Sequence, residues 1–335
     1  MAENKTRQRL ILAAKILLSI GLLVVAFFII DVDKLKDDFQ QLRPSHAVTL
    51  VLIFWGTIFV GAVRSKIFFK GMGIKLSYFL YARLYFIGYF FNFFIPSGVG
   101  GDVMRGWIAG KRSGKMEESY SAILGERLSG LIATGFIALV FMLLVETPKS
   151  LMLILALANL GLWAIAAILL TPYLASVTRK ILKPLPFGIS DKVGDFSEKV
   201  SNFRKKPGIL LSGFLMSVIY QLSIIFVVYV TSVFLDSGLS FPQMCVIAPI
   251  VWTVAMIPAT PNALGIRELT FAYLFPIFGS LESKGLIVSG MFLFVSVMSG
   301  LAGGLIFAIE NMLGKKRGTE GISAPAQSKA EVSAE

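Results

Sequence analysis

The sequence predicts an all-α polytopic membrane protein of about eight hydrophobic segments, two of them re-entrant, arranged as an inverted repeat. Three features predict it. Apolar runs near the ~20 residues that a helix needs to cross a ~30 Å hydrocarbon core recur along the chain. Basic residues fall in short blocks between those runs. A proline, small-residue and arginine pattern occurs twice, 162 residues apart. Composition agrees: 56% of the 335 residues are hydrophobic and 16% are charged, with a mean hydropathy of +0.77, too little polar surface to cover a soluble globule of this size.

The apolar segments run from Leu10 to Ile30, Ala47 to Val63, Tyr78 to Ile95, Leu128 to Val145, Leu151 to Thr171, Ile209 to Leu235, Phe241 to Ile257 and Gly285 to Met312. Lys5, Arg7 and Arg9 before the first run resemble the start of a secretory signal. The run is longer than a signal h-region, and no small-residue cleavage site precedes Asp31, so a retained first helix is expected. Residues 1–313 then form one transmembrane domain, with repeat halves at roughly 47–145 and 209–312. Residues 314–335, polar and without apolar periodicity, are expected to be a disordered cytoplasmic tail.

Lysine and arginine collect in cytoplasmic loops, which orients the segments. The basic N-terminus starts inside, and the loop with Arg64, Lys66, Lys70 and Lys75 returns there. Arg105, Lys111, Arg112 and Lys115 follow the third segment, so both of its ends are basic and it should enter and return. The stretch from Arg179 to Lys206 is cytoplasmic, and the last helix ends inside at Lys315, so the seventh segment should be re-entrant from outside. Non-helical backbone at membrane depth is tolerated only where protein or a water-filled cavity surrounds it, and two such segments predict an internal cavity.

Each re-entrant segment ends in a punctuated motif, Ile95-Pro-Ser-Gly-Val-Gly-Gly-Asp-Val-Met-Arg105 and Ile257-Pro-Ala-Thr-Pro-Asn-Ala-Leu-Gly-Ile-Arg267. Pro96 and Pro258 stop their helices, Pro261 reinforces the second stop, and Gly98, Gly100, Gly101 and Gly265 permit tight or left-handed backbone. Asn262 tolerates left-handed backbone better than other residues with a side chain. A short helix starting after each break would aim its N-terminal amides at the break, and Arg105 or Arg267 would add forked donors, which together suit a phosphate-bearing head group. Read plainly, the glycines make an ordinary loop and Arg105 is one more cytoplasmic charge. The matched second copy weighs against that, because Arg267 lies on the expected outer side, where no positive charge is required.

Charges in or beside apolar sequence are costly in lipid unless paired or facing water. Arg83, Glu126, Arg127 and Glu268 should therefore face the interior, with Asp102 and Arg105, Glu126 and Arg127, and Arg267 and Glu268 as partners along or across helices. Glu310 reads as a plain interfacial residue. Cys245, the single cysteine, excludes an internal disulfide and reads as a packing residue, and His46, the single histidine, flanks the second segment. No metal site and no cofactor are expected, and no phosphate-binding P-loop pattern is present. The net charge of +12 follows topology and anionic lipid surfaces rather than a nucleic-acid partner.

Pro96-Ser-Gly-Val-Gly-Gly-Asp-Val-Met-Arg105, Glu126-Arg127 read as opening the fourth helix, Pro258 to Pro261 and Gly265-Ile-Arg-Glu268 together resemble the lysylphosphatidylglycerol synthase/flippase transmembrane family, over most of the chain. One departure is Asn262-Ala263, where the family pattern carries more glycine. The resemblance implies a bacterial or archaeal plasma-membrane protein that moves phospholipids or lipid-linked head groups between leaflets, and it suggests homo-oligomers. Aminoacyl-phosphatidylglycerol synthases of this family carry a large cytosolic catalytic domain after the membrane part. Here about twenty polar residues follow Leu313, so a non-enzymatic flippase is expected. Arg105, Arg127 and Arg267 would contact phosphate, while Asp102, Glu126 and Glu268 would hold the arginines or a head-group substituent. Two alternatives stay open: a polyprenyl-phosphate-dependent glycosyltransferase using Asp31 and Asp33, and a carrier of small anionic solutes.

Overall fold

A computed structural model describes residues 37–94, 100–170, 176, 206–256, 260 and 263–316. The segment Leu10 to Ile30, the residues Asp31 and Asp33, most of the basic stretch from Arg179 to Lys206 and nearly all of the C-terminal tail lie outside these residues. Everything regular among the described residues is helical. The order is α1 Pro44–Gly71, α2 Tyr78–Phe94, α3 Gly100–Ser113, α4 Met116–Met142, α5 Lys149–Leu170, α6 Pro207–Phe234, α7 Phe241–Ala255, α8 Ile266–Ile277 and α9 Glu282–Lys316. Among them α1, α4, α6 and α9 are long and apolar enough to cross a membrane. A helix of 28 residues such as α1 spans about 42 Å, more than a ~30 Å hydrocarbon core.

Local chemistry sets the helix ends. Pro44 occupies the first turn of α1, where its missing N–H costs nothing, and the Arg43 N–H donates to Nδ1 of His46 at 3.3 Å. Ser240 caps α7, with its N–H donating to Oε1 of Gln243 at 2.7 Å. Before α8 the chain turns through left-handed backbone at Ala263 and Gly265, with φ of 56° and 85°. The Gly265 N–H then donates to Oε2 of Glu268 at 2.7 Å.

Two helices differ most from their expected bounds. α1 continues eight residues past Val63 through Arg64, Ser65 and Lys66, and α4 begins at Met116 rather than Leu128, taking in Glu117, Glu118, Glu126 and Arg127. Polar sequence reads as loop when lipid is the only surrounding considered. Here the buried charges are answered by charges on other helices, so the helical ladder runs on.

The two ends of the molecule have different character. At one end Nζ of Lys206 donates to the Gly71 carbonyl at 2.6 Å, Nζ of Lys115 donates to the Gly73 carbonyl at 3.3 Å, and Glu310 of α9 accepts from Arg83 of α2 and Arg112 of α3, each at 2.7 Å. Glu310 is therefore a bridge among three helices rather than a plain interfacial residue. Arg83, 43% exposed at its side chain, belongs to this end and not to the interior. At the opposite end Ser283 donates to Asp38, Nζ of Lys284 donates to the Asp236 carbonyl at 2.9 Å, and the His46 ring stacks on Phe234 at 4.0 Å. The loops before α2 and after α3 thus meet at the first end. The loops before α7 and after α8 meet at the second, where Nε2 of Gln243 reaches the Phe278 carbonyl at 3.5 Å.

Helix pairing follows a reciprocal scheme. α1 packs on α6, α2 on α9 and α4 on α7; α2 and α3 pair as α7 and α8 do; and α3 and α4 pair as α8 and α9 do. The core fills the spaces between: Phe54, Ile225, Val228, Met244, Cys245 and Phe275 in a larger cluster, and Phe68, Phe69, Tyr81, Met104 and Ile108 in a smaller one. At the α2–α9 crossing, a Cβ on Gly303 would lie 1.9 Å from the Phe86 carbonyl oxygen. Gly303→Leu should therefore destabilise the protein by at least about 1–3 kcal/mol, read as a lowered unfolding temperature in detergent, because backbone cannot yield as a side chain can. Gly290→Ala, at a position open to space, should leave that temperature unchanged.

Candidate functional site

α3 starts at Gly100 directly after the first break and carries Asp102 in its first turn and Arg105 one turn on. It can approach α2 closely because Gly101 has no side chain: a Cβ there would sit 2.3 Å from the Gly88 carbonyl oxygen. The Gly101 N–H donates to Oδ1 of Asn92 at 2.8 Å, which ties the start of α3 to the end of α2.

Glu126 lies in the middle of α4, not at its opening, and is 1% exposed. Its carboxylate accepts from Arg64 of α1 at 2.8 Å, from Arg105 of α3 at 3.0 Å, from Ser65 at 2.6 Å and from the Tyr85 hydroxyl. Arg105 also donates to Asp102 at 3.1 Å and to Ser65 at 2.6 Å, and Arg127 pairs with the other Asp102 oxygen. The expected Asp102 and Arg105 pair forms. Glu126 and Arg127 do not pair with each other, since successive helical residues point about 100° apart and each finds a partner on another helix. The guanidinium of Arg105 lies 3.9 Å from the Tyr85 ring centre, and that of Arg64 4.1 Å from the Tyr220 ring centre. Side chains of α1, α2 and α3 thus converge on one carboxylate of α4. With Arg64, Arg105 and Arg127 against Asp102 and Glu126, the cluster carries a net charge of +1.

Arg267 and Glu268 open α8, both buried, and pair at 2.7 Å. Nε of Arg267 donates to Ser289 of α9 at 2.9 Å, and Ser289 donates to Glu268 at 3.0 Å. This second cluster is neutral, and among the described residues no hydrogen bond or ion pair joins it directly to the first. Pro96, Gly98, Pro258, Pro261 and Asn262 lie outside the described residues, while Gly100, Gly101 and Gly265 stand at the starts of α3 and α8.

Three cavities lie between the clusters and share wall residues. One of about 190 Å³ is walled by Asp102, Arg105, Glu126, Tyr89 and Asn92 among others. A second, of about 220 Å³, shares Arg64, Glu126, Arg127 and Tyr220 with it and extends to Gln221 and Trp252. A third, of about 280 Å³, has Gln221, Trp252, Tyr89 and Asn92 in its walls and reaches Arg267 and Phe292. The polar ends and the aromatic middle are typical of pockets that orient a ligand by a few charges.

Sequence reasoning missed Arg64, Ser65, Tyr85, Tyr220, Gln221 and Trp252 as members of this site. Arg64 was expected in a basic loop. The signal that could have found it is the apolar Ile67-Phe68-Phe69 just beyond, which allows the helix to continue through the charge. The tyrosines and Trp252 sit in apolar runs, and nothing local marks them. Among the described residues no three His, Cys, Asp or Glu side chains gather in a way that could hold a metal ion.

The model of the lysylphosphatidylglycerol synthase transmembrane region matches residues 12–304. The chain is 24% identical over 251 residues to the UPF0104 membrane protein PH1989 of Pyrococcus horikoshii, covering 67% of this chain and 75% of that protein. No solved structure matches. With its helices long enough to span lipid and the family model covering both halves, this chain is a multi-pass membrane protein that belongs to the lysylphosphatidylglycerol synthase transmembrane-region family.

Proposed function

We propose that this protein is a lipid flippase-like transporter that moves the head group of an anionic phospholipid or lipid-linked phosphate between leaflets through the cavities between Arg105 and Arg267. The observation that carries this is the adjacency of those cavities: each has wall residues in common with the next, from the +1 cluster on α1, α3 and α4 to the neutral pair on α8. A site of net positive charge inside a membrane domain favours an anion, and it is costly unless a ligand or water uses it.

The architecture in this proposal is an inverted repeat, α1 to α4 and α6 to α9, with α2–α3 and α7–α8 as re-entrant hairpins. The helix pairing supports it, since exchanging the two sets of four leaves every pair described above in place. So do the hairpin ends, which meet at opposite ends of the molecule. Arg105 and Arg267 stand 162 residues apart, and Glu126 and Ser289, their acceptors on α4 and α9, 163 apart. The end bearing Lys66, Lys70, Lys75, Lys111, Arg112, Lys115 and Lys206 faces the cytoplasm of a bacterial or archaeal plasma membrane, with both chain termini on that side. No bond is made or broken: Arg64, Arg105 and Arg127 hold phosphate, the carboxylates keep the empty site stable, and the acyl chains stay in the bilayer.

The test is leaflet exchange of a labelled anionic phospholipid in reconstituted vesicles. Arg127→Gln, whose side chain is 47% exposed and so can change without unfolding the core, should slow exchange at least tenfold with an unchanged unfolding temperature. Exchange that continues at the unaltered rate in Arg105→Gln, Arg127→Gln and Arg267→Gln alike would overturn the proposal.

A further inference from the structure

We infer that the head group's substituent is an uncharged polyol, glycerol or a sugar joined through phosphate, and not a cationic group such as an aminoacyl ester or a quaternary ammonium. This rests on the head-group proposal above and deepens it. The middle cavities must receive whatever the phosphate carries, so their walls define its chemistry.

A cationic substituent beside this many arginines needs a free carboxylate to offset its charge. Among the described residues the site offers none. Asp102 is held by Arg105 and Arg127, Glu126 by Arg64 and Arg105, and Glu268 by Arg267 and the Gly265 N–H. The faces of Tyr85, Tyr220 and Phe292 lie under Arg105, Arg64 and Arg267, the last at 5.6 Å. A second positive charge placed beside the +1 cluster, whose carboxylates are already engaged, would be repelled from it.

A hydroxylated, neutral group meets the opposite situation. Gln221 spends Nε2 on the Gly130 carbonyl at 3.1 Å and on Thr134 at 2.6 Å, which fixes the amide and leaves Oε1 as an acceptor with no donor among the described residues. Asn92 spends Oδ1 on the Gly101 N–H, and among the described residues its Nδ2 meets no acceptor. Both side chains wall the 280 Å³ cavity beside Trp252, whose ring lies 6.3 Å from that of Phe292. One immobilised amide acceptor, one amide donor and a broad indole surface match alternating O–H groups and the C–H face of a polyol.

Binding to the detergent-solubilised protein of four dihexanoyl lipids separates the cases: phosphatidylmethanol, which is the bare phosphodiester, phosphatidylglycerol, phosphatidylinositol and lysyl-phosphatidylglycerol. Phosphatidylglycerol or phosphatidylinositol should bind at least tenfold more tightly than phosphatidylmethanol, the tighter of the two naming the polyol, while the lysyl ester should bind no more tightly than phosphatidylmethanol. Gln221→Leu and Trp252→Ala should bring the polyol lipids to the level of phosphatidylmethanol measured on the same variant, and Trp252→Phe, which keeps the packing, should retain part of the gain. Lysyl-phosphatidylglycerol binding as tightly as phosphatidylglycerol, or equal binding of all four lipids, overturns the inference and leaves the phosphate site standing. Failure of every lipid to bind overturns the head-group proposal as well.

Discussion

Glu126→Ala should be the most destabilising single substitution in the site, lowering stability by about 3–5 kcal/mol. Its carboxylate is the shared acceptor of Arg64 and Arg105, both buried, together with Ser65 and Tyr85. Without it two guanidinium groups face each other with only Asp102 nearby, and each retains a desolvation cost that nothing offsets. Thermal unfolding in detergent measures the loss. Glu126→Gln keeps the volume and some hydrogen bonding but not the charge, so it should fall between. Replacing the triad together, Arg64→Met, Arg105→Met and Glu126→Leu, should restore most of the lost stability, because the cost of the single variant lies in the stranded charges rather than in the missing carboxylate. An Arg64→Met, Arg105→Met, Glu126→Leu protein that melts as low as Glu126→Ala would show that the site is held by packing around Glu126 and not by charge pairing. Under the proposed function the restored protein should still fail in leaflet exchange, which separates the cluster's contribution to folding from the transport role proposed for it.

Single cysteines at the ends of the two short hairpins should label from one side of the membrane only, an all-or-none outcome. In a Cys245→Ser background, cysteines at Lys75 and Glu117 should react with an impermeant reagent from the cytoplasmic side alone, and those at Ser240 and Leu281 from the opposite side alone. All four positions are exposed, whereas Cys245 is fully buried and is the single native cysteine. α2 and α3 have 17 and 14 residues and α7 and α8 have 15 and 12, each about 26 Å or less and too short to cross a ~30 Å core with ease. Labelling of Lys75 and Glu117 from opposite sides would make α2–α3 a single crossing and overturn the inverted repeat and transport path proposed above.

Much of the helical plan is legible in the sequence because the hydrophobic effect acts locally along it. Tyr78, Phe241 and the neighbourhood of Ile209 begin helices where the apolar runs begin, and the paired Pro, Gly and Arg motifs mark where α3 and α8 start. A run of apolar residues next to a break needs no knowledge of its partners to be read. Its length against the bilayer and the identity of the punctuating residue suffice.

What stays hidden is whatever depends on distant charges. Glu117 to Gly125 fall before the helix that Glu126-Arg127 was read as opening, because a charged stretch is costly in lipid, yet they form the first turns of α4. Glu126 meets Arg64 62 residues earlier and Arg105 21 residues earlier, and Glu310 meets Arg83 across 227 residues. The pairing energy that permits these charges to be buried exists only after α1, α2, α3, α4 and α9 have come together. By itself, then, the sequence determined that this chain belongs in a membrane, where its apolar segments lie, and that two arginine motifs recur at the same spacing. Only the tertiary structure decided that Arg64, Tyr85 and Tyr220 join Arg105 around one carboxylate, and that Gln221 and Trp252 stand between the two motifs. Ion pairs and cavity walls are properties of helices in contact, and the spacing of residues along a single chain does not encode them.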